Sequence, residues 1–444
     1  MEPRQPQDEL TTISSPPSPL AELSPPGETA GDMVGPYRLQ EPIGSGTYGV
    51  VWLAERSDPM VQKVAVKILK PERSTEDIIA RFDRERQALA LLEHPNIARI
   101  FDGGLTKSGR PFFAMEYVRG DPITRFCDKN MLSVTQRLSL FIEACDGVQH
   151  AHDLGILNRD IKPEHILVVP TSDPQLGHVK IIDFGLAKSL GGKLTDMRIR
   201  TLRHHEMGTP AYMSPEQAEM GATEVDRTTD VYSLGVVLFE LIVGDLPMDL
   251  DQLRSRAAIS SLAEAIRDTE TRTLYERLAD SKEETVSSIA TRRNTHPHNL
   301  LSVAKGELSW IVAKAVRKEP LHRYASARLL AQDIRDHLKG RPIQAAKGRR
   351  WYTIQRSIRR NRPWLILSAV IVVTAGLIAY MNSPWVGLMA IPVERVVSTV
   401  SDSKFATWLI DMDLRPRRVI KLGSLGIGVL FGAYKIVEFV RRKS

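Results

Sequence analysis

The chain has 444 residues, with 60 Lys and Arg against 53 Asp and Glu, a formal net charge of +7. Its 42% apolar and 25% charged content is that of a globular protein with ample core, which excludes a disordered or fibrous chain. At about 100–200 residues per domain the length predicts two or three units. Two cysteines, Cys127 and Cys145, exclude a disulfide-built secreted scaffold and a four-cysteine zinc site. Both are expected as free thiols in a reducing compartment.

Residues 1–35 are rich in Pro, Ser, Thr and Glu, as in Ser15-Pro16-Pro17 and Ser24-Pro25-Pro26. They hold no apolar core of signal-peptide length. Such a segment buries too little to offset chain entropy, so it predicts a flexible tail. A phosphorylatable or docking tail and an inert leader both fit that composition.

From Tyr37 to about Leu338 the chain reads as one long domain. Residues 37–118 look strand-rich: Val50-Val51-Trp52-Leu53 and Val64-Ala65-Val66-Lys67-Ile68-Leu69 have strand character, and one helix is expected near 76–91. Residues 119–338 look mostly helical. Leu138, Phe141, Ile142, Cys145, Val148 and Gln149 recur near helical spacing over 134–153, and Val231–Val243 predicts a second buried helix. Strands followed by helices predict an α+β fold of two lobes.

A basic segment follows, 339–362. Residues 341–362 carry eight Arg or Lys and no acid. Next come nineteen uncharged, mostly apolar residues, Pro363 to Met381. At about 1.5 Å per residue they nearly match a ~30 Å hydrocarbon core, which predicts a transmembrane helix over 363–381. The cationic flank places the preceding domain on the cytoplasmic side, and Trp364, Tyr380 and Trp385 suit the interfaces. The positive charge is then accounted for by anionic lipid, not nucleic acid. In residues 382–444, a second apolar stretch at 422–440 fits a second span or an interfacial or re-entrant segment.

Several polar groups stand where chemistry needs them. Gly44-Ser45-Gly46-Thr47-Tyr48-Gly49-Val50 lies between two strands, not between a strand and a helix, which argues against a dinucleotide fold. Glycines there let backbone amides approach phosphates. Lys67 ends an apolar strand, and Glu85 is the nearest helical carboxylate to hold it. Asn158-Arg159-Asp160-Ile161-Lys162-Pro163-Glu164-His165 is the densest polar cluster, and Asp183-Phe184-Gly185 follows another short strand. Two aspartates at adjacent strand ends suit a metal-bound nucleotide beside a hydroxyl acceptor. Taken singly, each is also an ordinary turn or capping residue.

In this order, with Gly208-Thr209-Pro210-Ala211-Tyr212-Met213-Ser214-Pro215-Glu216 after them, the motifs resemble the bacterial, eukaryotic-like (Hanks-type) Ser/Thr protein kinases, and Gly306-Glu307-Leu308-Ser309-Trp310-Ile311-Val312 with the long stretch before it resembles a planctomycete-like subgroup. The resemblance runs from about Tyr37 to Leu338. It implies a bilobal kinase fold, ATP with Mg²⁺, and transfer of the γ-phosphoryl group to protein Ser/Thr hydroxyls, the chain's own included. Gly44, Ser45, Gly46, Gly49 and Val50 would cover the nucleotide with Ala65. Met115 would be the gatekeeper, and Glu116 to Val118 the hinge that reads adenine. Lys67 would grip phosphates and pair with Glu85. Asp160 would take the acceptor proton, Lys162 neutralise the γ-phosphate and Asp183 hold Mg²⁺. Thr209 would meet the base and substrate, Glu216 pair with Arg323, and Asp230 brace the catalytic loop.

Two departures stand out. The family usually has His where Asn158 stands, and Asn as second metal ligand where His165 stands. Imidazole suits softer ions than Mg²⁺, so the expectation is one good Mg²⁺ site and a relative preference for Mn²⁺. Ser189, Thr195 and Thr201 are candidate phosphosites able to pair with Arg159. His150 and His152, two apart on a helix, do not share a face for a metal. The reading is a kinase in bacterial inner-membrane signalling, its input through a partner or a homodimer. The alternative is a membrane-tethered pseudokinase, weak in catalysis because of Asn158 and His165.

Overall fold

The computed structural model describes residues 27–46, 49–58, 60–70, 91–173, 177–184, 209–219, 225–259, 262–346 and 368–376. Strands β1 (Met33–Val34), β2 (Tyr37–Ser45), β3 (Gly49–Arg56), β4 (Gln62–Leu69), β5 (Ile100–Leu105) and β6 (Pro111–Glu116) form one antiparallel sheet in the order β1-β2-β3-β4-β6-β5. The two-residue alternation of a strand sorts its faces. Val50, Trp52, Ala54, Val64, Val66 and Ile68 join Leu39, Phe112 and Ala114 in one apolar cluster. Ala65 and Lys67 therefore lie on the opposite face. The helix expected near 76–91, with Glu85, lies outside the described residues.

The expectation of a flexible tail over 1–35 fails from residue 27 onward. β1 pairs with β2, Gly31 donates its amide to the Leu39 carbonyl, and Leu39 donates back to that of Asp32. Glu28 is ion-paired with the buried Arg110 and also accepts from Ser108 Oγ at 3.1 Å. Arg110 Nε in turn donates to the Leu69 carbonyl at 2.9 Å. The tail carries few apolar groups, so composition alone did not reveal this. A buried guanidinium that needs a carboxylate holds the segment instead.

A smaller sheet, β7 (Asp121–Pro122), β8 (Ile166–Pro170) and β9 (Gly177–Ile181), runs in that order. The helices are α1 (Ile123–Lys129), α2 (Val134–Asp153), α3 (Pro215–Ala218), α4 (Arg227–Val243), α5 (Leu250–Ile259), α6 (Leu262–Asp268), α7 (Leu274–Ala279), α8 (Glu283–Arg292), α9 (Pro297–Lys305), α10 (Glu307–Ala315) and α11 (Ala327–Leu338). α2 covers the predicted 134–153, opened by a capping box between Ser133 and Gln136. α4 covers the predicted Val231–Val243 and is buried nearly all round, as an apolar helix must be. α2, α10 and α11 pack on it. A Cβ on Gly235 would meet the Ala315 side chain at 2.7 Å, so glycine sets how near α10 approaches. Asp226 caps the start of α4. At its end, Arg293 Nε donates to the Ile242 carbonyl at 2.6 Å, and Arg137 and Arg293 both reach that of Leu241. Both cysteines are buried free thiols.

Past α11, the buried Asp333 accepts from Tyr324 Oη and from the amides of Gln344 and Ala345. Residues 368–376 are helical and belong to a separate unit. They are part of the predicted span 363–381, whose other residues lie outside the described ones. Among the described residues, no helix is long and apolar enough to cross a membrane.

Two stability predictions follow from buried groups in the helical lobe. Arg323 grips Glu216 through two nitrogens, at 2.6 and 2.8 Å, and its guanidinium also donates to the Arg317, Thr228 and Lys318 carbonyls. Breaking one side of such a buried pair costs about 3–5 kcal/mol. Arg323→Ala should lower the unfolding free energy read from denaturant melts by that measure, and a loss under about 1 kcal/mol would contradict the buried strut. Burial pushes the Glu240 carboxyl up to about 7, outweighing the opposing pull of the Tyr212 hydroxyl, which donates to it at 2.6 Å. The folded state then holds a proton that the unfolded chain has lost between about pH 4.5 and 7, so stability falls as pH rises through that window. Glu240→Gln should gain on the order of 1–3 kcal/mol over the wild type at pH 8 and little at pH 4.5. Calorimetry at both pH values checks this, and an equal difference at both would contradict it.

Candidate active site

The site is built where the end of β4 meets the loops before β8 and after β9. Asp230, wholly buried on α4, accepts three hydrogen bonds. They come from His152 Nε2 at 2.8 Å, the Asn158 amide at 2.8 Å and the Arg159 amide at 2.7 Å. His152 thus serves the loop, while His150 stacks on His94. Arg159 is left-handed, with φ +61°. For a non-glycine residue that conformation persists only where surrounding contacts over-determine it. Two further bonds do so here: Asn158 Oδ1 accepts from the Asp160 amide at 3.0 Å, and Gln217 Nε2 donates to the Arg159 carbonyl at 3.0 Å.

His165 closes the loop from the other end. Its Nδ1 lies 2.8 Å from the Asp160 carbonyl, and its own carbonyl accepts from the Ile182 amide at 2.9 Å. That second bond ties the loop to the residue before Asp183. Asp183 is also left-handed, with φ +59°. Its Oδ2 is 2.8 Å from Lys67 Nζ and 3.9 Å from His165 Nε2. Lys162 Nζ lies 3.8 Å from Asp160 Oδ2. Thus Lys67, the loop residues Asp160, Lys162 and His165, and Asp183, from three separate parts of the chain, share one partly buried cluster.

Burial drives the Asp183 carboxyl up, but the charge and hydrogen bond of the Lys67 ammonium work against it, and the group is held below the ordinary aspartate range. His165 is moved down, chiefly by burial, against the pull of Asp160 and Asp183, so its imidazole is neutral near pH 7.

Around it, Ala65 pairs with Met115 across β4 and β6, and Lys67 with Phe113. Glu116 ends β6. Its carboxylate accepts from Lys180 at 2.9 Å and from the Arg99 amide at 3.2 Å, so the side chain is engaged by neighbouring protein groups. A Cβ on Gly46 would meet nothing within 4 Å. At Gly49 a Cβ would sit 2.1 Å from the Ile68 carbonyl. The close approach of β3 to β4 already requires that glycine. Gly44 and Ser45 end β2, and Thr209 opens a 3-10 turn, Thr209–Tyr212.

One expected nucleotide contact is corrected. Val50 opposes Ile68 and belongs to the apolar cluster, whereas Val51 opposes Lys67. Strand alternation therefore puts Val51, not Val50, on the face of Ala65 and Lys67. The motif held the signal, since its valine stands two places after the last glycine. Three further contributors escaped sequence reasoning: the Asn158 side chain, His152 and Gln217. For Asn158 the clue was an Asn two residues before an Asp, the spacing of an Asx turn. Glu85, Thr47, Ser189, Thr195, Thr201, His204 and His205 lie outside the described residues.

The model for the protein kinase domain matches residues 37–334. A probable serine/threonine-protein kinase of Clostridium perfringens is 31% identical over 67% of this chain and 38% of its own length. The serine/threonine-protein kinase PrkC of Bacillus subtilis is 32% identical over 68% of this chain and 40% of its own. The chain thus spans about two fifths of the length of these curated relatives. Among solved structures, the kinase domain of Mycobacterium tuberculosis PknI covers 70% of this chain and all of its own, with 22% identity and a TM-score of 0.49. With its fold, its clustered motifs and a family match over most of its length, this chain belongs to the protein kinase family, on the bacterial Hanks-type Ser/Thr branch.

Proposed function

We propose that the chain is a working Ser/Thr protein kinase that transfers the γ-phosphoryl group of ATP to protein hydroxyls, its own included. The observation that carries this is the convergence of Lys67, Asp160, Lys162 and Asp183, with the main chain of Asp160 hydrogen-bonded on both sides. Phosphoryl transfer through a loose transition state asks mainly for positioning and charge stabilisation, and this site offers both.

The residues fit a nucleotide with a divalent cation. Asp183 Oδ1 is buried without a hydrogen-bond partner, a hard oxygen donor of the kind Mg²⁺ takes. ATP and its metal would supply the electrophilic phosphorus and neutralise its oxygens. Lys67 would hold phosphate oxygens, steadied by Asp183. Asp160 would accept the proton of the acceptor hydroxyl at its carboxylate. Lys162, beside it, would place an ammonium on the γ-phosphate side. Gly44, Gly46 and Gly49 would offer backbone amides over the phosphates.

Asn158 favours activity over the pseudokinase alternative. Its Oδ1 accepts a hydrogen bond from the Asp160 amide and leaves the loop held. Labelled-phosphate transfer by the solubilised full-length chain, with Mg²⁺ or Mn²⁺, should fall at least about 10³-fold in Asp160→Asn. Nucleotide binding without transfer under either metal would move the reading to a pseudokinase.

The anchor belongs to the same proposal. The basic strip 341–362 followed by the apolar run 363–381 supports a kinase held at the inner face of the bacterial cytoplasmic membrane, and dimerisation there would bring two such domains together. The full-length chain should stay with the membrane pellet at high pH, whereas a chain ending at residue 345 should not. A full-length chain that stays soluble without detergent would contradict the anchor.

A further inference from the structure

One carboxamide joins two parts of the site that lie far apart in the chain. Gln217 belongs to α3, and its side chain is bonded at both ends. The Ser214 amide donates to Oε1 at 3.2 Å, and Nε2 donates to the Arg159 carbonyl at 3.0 Å. A main-chain amide only donates and a carbonyl only accepts, so the orientation of the group is fixed. Its oxygen closes the capping box of α3. Its nitrogen holds the loop that carries Asp160.

The carbonyl it holds is part of the peptide group between Arg159 and Asp160. The N–H of that same group donates to Asn158 Oδ1 at 3.0 Å. One rigid peptide plane is thus gripped at both poles by side-chain carboxamides. Its tilt sets the direction in which the Asp160 side chain leaves the backbone. Arg159 is left-handed, so a plane released at either pole has easier conformations to fall into.

Gln217 is itself anchored. Its neighbour Glu216 is held by Arg323 and accepts from Thr229 Oγ1 at 2.7 Å. The Tyr212 carbonyl accepts from Ser233 Oγ, also at 2.7 Å. Thr229 and Ser233 are residues of α4. That helix therefore reaches Arg159 by two routes: Asp230 takes its amide directly, and Gln217 takes its carbonyl through the segment 209–219. Between segment and loop lies a hollow of about 10 Å³, barely room for one water, so a shift of either is felt by the other.

We propose that Gln217 is a positioning residue for phosphoryl transfer, one that orients the Arg159–Asp160 peptide and makes the aim of Asp160 depend on the seating of segment 209–219. Asn158 and Gln217 act as a pair on that single peptide group. The inference rests on the kinase reading and deepens it by tying the geometry of the base to a residue of a different segment.

The test is steady-state transfer of labelled phosphate from ATP to myelin basic protein by the solubilised full-length chain. Gln217→Glu keeps the acceptor that caps α3 and loses the donor to the loop. Gln217→Met loses both and adds no charge. Each should lower kcat about 10–100-fold, the scale of a small misplacement of a reacting group. The KM for ATP and the thermal midpoint should stay close to wild type. Ser214→Ala, which removes the hydroxyl of the same cap and leaves the bond to Arg159, should keep its kcat. Asn158→Ala combined with Gln217→Met should lose less than the product of the two single losses, because both act on one peptide group. Wild-type kcat in Gln217→Met, an equal loss in Ser214→Ala, or losses that multiply in the double variant would each overturn the positioning role and leave the kinase reading standing. A wild type that binds nucleotide and transfers nothing would overturn both.

Discussion

The buried carboxylate of Asp230 is the constraint on which the site depends. A carboxylate without solvent must be paired or fully hydrogen-bonded. Here it is satisfied by His152 and by two consecutive amides of the loop that carries Asp160. The loop supplies what the carboxylate lacks, and the carboxylate fixes the loop in a conformation that a free chain would avoid. Because Asp230 sits in the first turn of the most buried helix, loop geometry is referred to the rigid centre of the lobe. The fold and the active site are therefore one problem of electrostatic satisfaction.

From that anchor the order spreads along hydrogen bonds rather than apolar contacts. Asn158 passes it to the amide of Asp160, and His165 closes on the carbonyl of the same residue. The His165 carbonyl then meets the amide of Ile182, next to Asp183. Lys67 joins from the sheet. Each link is short and partly buried, where hydrogen bonds are strongest and an unmade one is costly. Preorganisation of this kind lets a phosphoryl-transfer site work with little covalent chemistry of its own.

Much of this was legible in the sequence because it rests on local patterns. Helical spacing marked α2 and α4, and the ordered motifs pointed to the cleft. Pairing across elements was harder. The misplaced valine shows why: Val50 and Val51 are adjacent and equally apolar, and only the register of β3 against β4 decides which faces Lys67. Asn158 and His165 read as losses against the family pattern. In the structure each makes a specific bond to the Asp160 main chain. That is information about distance, which no single residue carries.

The N-terminal segment has a consequence for where the domain begins. The family match opens at Tyr37, yet Glu28 reaches back across the sheet to Arg110, and Arg110 holds the end of the strand that bears Lys67. A gene trimmed to the region of similarity would strip a buried guanidinium of its counter-ion and loosen the edge from which Lys67 projects. For this chain, the unit of folding is longer than the unit of homology.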